Sequence, residues 1–272
     1  MLVYPNAKIN LGLNVVEKRP DGYHNIETIF YPIGLHDVLN VESSDTCSDY
    51  SFSVSGINIG GDAEDNLIVK SYRLLRSKYQ FPPVDISLLK QIPFGAGLGG
   101  GSSDAAFMLK ALNKEFKLKI TPKHLEQLAS KLGSDCPFFI RNKPVYATGT
   151  GNIFAPADVS LKGYILLLVK PDIHVSTAEA YAGITPQLSV APLTELIRKP
   201  ITDWKHDIKN DFEKSVFEKF PAIASIKAEL YQMGAIYASM SGSGSSVYGI
   251  FGEIPEYRDR FENCFVACGE LE

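Results

Sequence analysis

Residues 93–104 read Pro93-Phe94-Gly95-Ala96-Gly97-Leu98-Gly99-Gly100-Gly101-Ser102-Ser103-Asp104. Five glycines fall in the seven positions from Gly95 to Gly101. A strand-like run at 85–92 precedes the stretch and a helix-like run at 105–113 follows it. Glycine lets main-chain N–H groups approach a ligand with no Cβ between them. A helix that opens directly afterwards adds unpaired N–H donors and the positive end of its dipole. That combination holds phosphate and points to a nucleotide enzyme.

The bulk of the chain fits this reading. Its 272 residues allow two modest domains or one large one. At 45% hydrophobic and 21% charged it has the make-up of a globular protein. With net charge −4 and no polybasic run, a nucleic-acid partner is not expected. The longest aliphatic run, residues 165–169, is too short to cross a bilayer, and the first residues lack the basic-then-apolar layout of a signal peptide. The expectation is a cytoplasmic protein with no membrane partner. Cys47, Cys136, Cys264 and Cys268 form no Cys-x-x-Cys pair, so free thiols are expected rather than zinc.

Along the chain, residues 1–60 look β-rich. Ile9, Leu11, Leu13 and Val15 alternate with Asn10, Gly12 and Asn14, the pattern of a half-buried strand. Helical spacing covers 66–79 and 222–233, the latter ending at Gly234. Thr121-Pro122 signals a helix start with a threonine cap. Strands are expected at 164–169, 236–240 and 246–251, and Pro255 is read as opening a last helix. Strands and helices do not alternate regularly, so the class is α+β rather than a doubly wound parallel sheet.

Gly95-x-Gly97-x-x-Gly100 on its own matches the dinucleotide fingerprint. That fingerprint needs a second buried strand ending in an acidic residue about 20 positions on. Residues 113–121 are lysine-rich and turn-like instead. No Gly-Lys-Ser/Thr follows the glycines, which sets aside the standard P-loop. The longer string from Pro93 to Asp104 resembles the signature of the GHMP kinases. Two more motifs stand in the right order: Ala7-Lys8-Ile9-Asn10-Leu11 and Met240-Ser241-Gly242-Ser243-Gly244-Ser245. Further segments are similar to the branch whose acceptor is a cytidine diphosphate-linked methylerythritol. They are Arg19-Pro20-Asp21-Gly22-Tyr23-His24, Glu27-Thr28-Ile29-Phe30, Gly133-Ser134-Asp135-Cys136-Pro137-Phe138-Phe139 and Asn210-Asp211-Phe212-Glu213. The resemblance spans essentially the whole chain. One departure is Asn152, where the family often carries an acidic residue, and it is given no role.

The resemblance implies the two-domain GHMP kinase fold. A domain like ribosomal protein S5 domain 2 would cover 1–157 and a ferredoxin-like domain 158–272. It implies a monomer or homodimer that uses ATP and Mg²⁺ to phosphorylate the acceptor's 2-hydroxyl, in the non-mevalonate isoprenoid route. The metal ligands stay open. A homoserine- or mevalonate-type kinase and a non-catalytic nucleotide sensor are the alternatives.

Residue by residue, the family match makes Lys8 the cation for the transferring phosphoryl group, against the ordinary reading of a solvated strand lysine. Asp135 becomes the base for the acceptor hydroxyl, alongside a capping role at a helix start. The loop from Pro93 to Ser103 and Asn66 would hold the nucleotide, although Asn66, Ser102 and Ser103 are also natural helix caps. Asp104 reads as a first-turn charge. The acceptor would be met by Asn10, Phe30, Thr177, Ser241 and Gly242, with Tyr23 and Tyr181 stacking on cytosine and His24 reading its edge.

Overall fold

The structure, a computed structural model, describes every residue except Ile59 and Val190. By contacts the chain forms two compact units that do not follow chain order. Unit 1 comprises Met1–Ala7, Leu35–Phe94 and Gly99–Lys143; unit 2 comprises Lys8–Gly34, Gly95–Leu98 and Pro144–Glu272. Neither unit ends at residue 157 or 158.

In unit 1, strands β1 (Leu2–Val3), β4 (Val38–Ser43), β5 (Tyr50–Gly56) and β6 (Val84–Lys90) make one sheet in the order β1-β4-β6-β5. β4 runs antiparallel to β1 and β6, while β5 is parallel to β6. β6 alternates strictly, with Val84, Ile86, Leu88 and Lys90 all on its buried positions. Four helices follow: α1 (Leu67–Arg76), α2 (Gly100–Glu115), α3 (Pro122–Ala129) and the short α4 (Phe138–Arg141). Asn66 caps α1, its Oδ1 accepting from the Ile68 N–H at 2.9 Å. Thr121 caps α3 with Pro122 in the first turn, as the sequence predicts. α1 buries Ile68, Val69, Tyr72 and Leu75 and packs on α2.

In unit 2, β2 (Asn6–Lys18) and β3 (His24–His36) contribute most of their length and continue into β7 (Val145–Thr148) and β8 (Ile153–Pro156), in the order β2-β3-β7-β8. A second, antiparallel sheet has the order β10-β11-β9-β12, from β9 (Ile165–Pro171), β10 (Tyr237–Met240), β11 (Val247–Phe251) and β12 (Cys264–Glu270). Helices α5 (Thr177–Ala182), α6 (Leu193–Leu196), α7 (Trp204–Asp207), α8 (Phe212–Lys219) and α9 (Pro221–Gln232) complete it. One core joins Leu13, Val15 and Ile26 of the hairpin to Leu167, Val169, Phe212, Ile223 and Leu230. The mixture of sheets and helices is the α+β class expected.

Two expectations are corrected. β2 is not half-buried: Ala7 to Leu13 are all buried, so both faces are covered. The residues after Pro255 form no helix. Asp259 and Asn263 take positive φ of 67° and 57°, which a right-handed helix excludes, and the chain ends in edge strand β12 paired to β9. All four cysteines are free thiols. Among the described residues no helix is long and apolar enough to cross a membrane.

Candidate active site

Within unit 2, three motifs far apart in sequence meet. Lys8 is only 3% exposed, which overturns the solvated reading of that lysine. A buried ammonium is costly unless its donors are met. Lys8 Nζ donates to Asn10 Oδ1 at 2.7 Å and to the Gly97 carbonyl at 3.3 Å, and lies 4.7 Å from the centre of the Phe30 ring. Asn10 Nδ2 donates to Thr28 Oγ1 at 2.9 Å, and Thr28 in turn donates to the Gly12 carbonyl. The main chain of Asn10 accepts from the Tyr248 hydroxyl at 2.7 Å. Ser241 Oγ donates to the same Gly97 carbonyl at 2.8 Å. Phe30 is 2% exposed and lies against the lysine.

Gly97 is the hinge of this arrangement. Its φ is +74°, and a Cβ there would collide with the Ser241 carbonyl oxygen. Gly242 is nearly as close: a Cβ on it would lie 3.3 Å from the Gly97 carbonyl oxygen and 3.4 Å from Asn10 Oδ1. Gly97→Ala is therefore expected to destabilise the protein by roughly 1–3 kcal/mol through backbone strain. Thermal and denaturant unfolding of the variant beside the parent checks this.

The rest of the glycine loop belongs to unit 1. Gly99 is the N-cap of α2 in the left-handed region, φ 69°, and no side chain caps this helix. The first-turn N–H groups of Gly100, Gly101 and Ser102 thus start without a capping side chain, the state in which a helix start receives an anion. Pro93 is buried and Phe94 exposed; in the unit 2 part of the loop, Ala96 and Leu98 are buried at 2% and 1% exposure. Ser103 is buried and its Oγ has no hydrogen-bond partner. Asn66 does cap α1, and it also lines a cavity of about 350 Å³ with Phe52, Val54, Gly56, Asn58 and Gly61.

Asp135 is half-buried in the turn ahead of α4, and Ser134 Oγ donates to its Oδ1 at 3.4 Å. The capping expectation is corrected: the N-cap of α4 is Pro137, which makes no side-chain cap bond, and Asp135 holds the turn through its carbonyl, which accepts from the Phe138 N–H at 3.2 Å. Burial pushes the neighbouring Cys136 thiol up to about 11, which leaves it protonated and inert near neutrality.

The aromatic residues sit in unit 2. The His24 ring stacks on Tyr181, centroids 4.6 Å apart at 17°, and Tyr181 meets Phe212 edge-on at 4.7 Å. Tyr23 is 67% exposed beside them in sequence, and Thr177 opens α5 on the surface. As they stand, the His24 and Tyr181 rings touch and leave no gap between them for a base.

Sequence reasoning missed several supports. Thr28 completes the Lys8–Asn10 network. Asn210, quoted earlier without a role, donates to the Met240 and Gly242 carbonyls, both at 2.8 Å, and so shapes the serine–glycine loop. Asp211 accepts from the Val15 N–H at 2.7 Å, and Glu213 from the Met240 N–H at 2.8 Å. A buried cluster of Asp37, Lys90 and Asp104 was invisible. Only pairing across the chain reveals it.

Comparison with known proteins identifies the family. Residues 66–143 match the GHMP kinases N terminal domain and residues 193–267 the GHMP kinases C terminal domain. A protein of Parabacteroides distasonis called 4-diphosphocytidyl-2-C-methyl-D-erythritol kinase is 56% identical over 274 residues, covering 100% of both chains. A crystal structure of 4-(cytidine 5'-diphospho)-2C-methyl-D-erythritol kinase superposes with TM-score 0.79 at 31% identity, covering 98% of each chain. The Methanococcus jannaschii mevalonate kinase superposes with TM-score 0.73 at 16% identity over 100% of this chain and 98% of that one, a likeness of fold alone.

Proposed function

This chain belongs to the GHMP kinases, and from that premise we propose that it phosphorylates the 2-hydroxyl of 4-diphosphocytidyl-2-C-methyl-D-erythritol with ATP, a step of the non-mevalonate isoprenoid route. Residues 1–157 and 158–272 are its two family domains, and the cytoplasm is its place of action. The observation that carries the acceptor assignment is the His24–Tyr181 stack. It draws the Asp21-Gly22-Tyr23-His24 turn and the end of α5 to one spot, where an arriving cytosine parts or caps the ring pair beside exposed Tyr23. A homoserine or mevalonate acceptor has no flat base to use such a surface.

Transfer needs little covalent chemistry from the protein. The acceptor oxygen attacks the γ-phosphorus, the bond to the β–γ bridging oxygen breaks, and ADP leaves. The hydroxyl proton passes to the Asp135 carboxylate. Lys8 offsets the charge that builds on the transferring group, and its tether to Asn10 and Gly97 holds it ready before the reaction starts. The glycine loop and the start of α2 hold the phosphates, and the cavity at Asn66 suits the adenine. Magnesium is part of the proposal. Among the described residues no group of three or more His, Cys, Asp or Glu could hold a metal, so the ion would lean on phosphate oxygens. The orphaned Ser103 hydroxyl, with Ser102 beside it, fits a hard cation of this kind. When bound, magnesium supplies charge neutralisation on the phosphates.

The test is turnover with ATP and each of three acceptors. The cytidyl acceptor should be phosphorylated far faster than homoserine or mevalonate. Equal or inverted rates would move the chain to another branch of the family. CMP should also outcompete UMP. Tyr181→Ala is expected to cost roughly 1–3 kcal/mol of CMP affinity, about ten- to a hundredfold, as loss of one stacking face does. His24→Ala should narrow the CMP–UMP gap, and equilibrium titrations of both variants measure these effects.

A further inference from the structure

We propose that Asp37, Lys90 and Asp104 form a positioning group that fixes the two ends of the glycine loop for polyphosphate binding, an inference that rests on the ATP-dependent reading above. All three lie in unit 1, and their exposures are 0%, 3% and 4%. Lys90 Nζ donates to Asp104 Oδ2 at 2.7 Å and to Asp37 Oδ2. The other oxygen of Asp37 accepts from the Gln91 N–H at 2.6 Å and the Ile92 N–H at 2.8 Å. Those two residues lead from β6 into the loop. Asp104 is the fifth residue of α2, just past the first turn rather than in it, close behind the end of the loop. Asp37 therefore holds the entry, Asp104 the exit, and one ammonium joins them.

The fit around this junction is tight. A Cβ on Gly100 would lie 2.9 Å from Ile92 Cγ2 and 3.1 Å from Lys90 Nζ. Glycine at the helix start thus lets α2 press onto the lysine.

Stability does not explain such a group. Two carboxyl groups and one ammonium are costly to bury, and apolar residues of similar volume are often as stable or more so. Burial pushes the Asp104 carboxyl up, against the pull of Lys90, and Asp104 Oδ1 has no hydrogen-bond partner. What the cluster supplies is geometry. It sets the direction of the first-turn N–H groups of α2, and anion binding there depends on their aim.

Asp104→Asn keeps the size and removes one charge. Its Kd for a non-hydrolysable ATP analogue should rise about tenfold and its KM for ATP in parallel. CMP affinity should stay within about twofold and kcat at saturating ATP within about threefold. Lys90→Met combined with Asp37→Asn and Asp104→Leu supplies a second variant, with its charges removed. It should melt at or above the parent temperature and still bind the ATP analogue at least about tenfold more weakly. ATP-analogue affinity within twofold of the parent in either folded variant would overturn the inference. So would ATP and CMP affinities that fall together in step with melting temperature. A parent protein that bound no ATP analogue would overturn the kinase reading itself, and the positioning role with it.

Discussion

Asp135→Asn is expected to bind nucleotide within a few-fold of the parent and to turn over at least about a hundredfold more slowly, the contribution of a placed general base. The change is nearly isosteric, so the turn should survive. That turn is held by the Asp135 carbonyl to the Phe138 N–H and by the buried Cys136, Phe138 and Phe139 side chains, none of which the amide alters. An amide cannot take the hydroxyl proton. Single-turnover phosphorylation of the cytidyl acceptor separates this loss from binding, because an effect on proton removal lowers the chemical step and leaves the ATP Kd in place. Cys136 next door offers no substitute, since burial keeps its thiol protonated. A rate near that of the parent would take Asp135 out of the mechanism.

The glycine loop between a strand and a helix was legible because glycine density, a preceding strand and a following helix are local signals. So were the helix caps at Asn66 and Thr121, each of which the structure places as the cap. Three features escaped for physical reasons. Alternation in β2 was read as one buried face, yet the serine–glycine loop and Phe30 cover the face that carries Lys8 and Asn10, and sequence alone does not show a cover made of distant segments. Pro255 opens many helices, but the positive φ at Asp259 and Asn263 turns this chain toward β12, and Asp and Asn adopt that region more readily than most residues. Lys90 ends a run of Val84, Ile86 and Leu88 on the buried positions of β6, so period two placed it inward. Its partners, 53 and 14 positions away, are what make that placement tolerable, and no local pattern announces them. The candidate site itself was legible in kind rather than in contact. His24 and Tyr181 were named together, while their direct stack was not foreseen.

Lys8→Met is expected to lower kcat about a hundred- to a thousandfold, with a smaller effect on ATP binding. Removing one preorganised donor from a developing oxyanion costs that much elsewhere. The lysine is held by Asn10 Oδ1 and the Gly97 carbonyl and stands over Phe30, so its charge is fixed before substrate arrives and the reaction pays no reorganisation. Methionine fills the same channel between Phe30 and β2 without a charge. Stability should change little: the buried ammonium disappears, and Asn10 Oδ1 loses one donor at a cost of about 1–3 kcal/mol. Lys8→Arg should not restore the rate. The guanidinium is larger and planar, and its extra atoms would have to displace the packing around a side chain that is only 3% exposed. The decisive comparison is kcat against KM for ATP. If only KM moves, Lys8 binds ground-state phosphate and has no special claim on the transition state. If kcat collapses while the ATP-analogue Kd holds within about fivefold, the charge acts where the phosphoryl group is in flight.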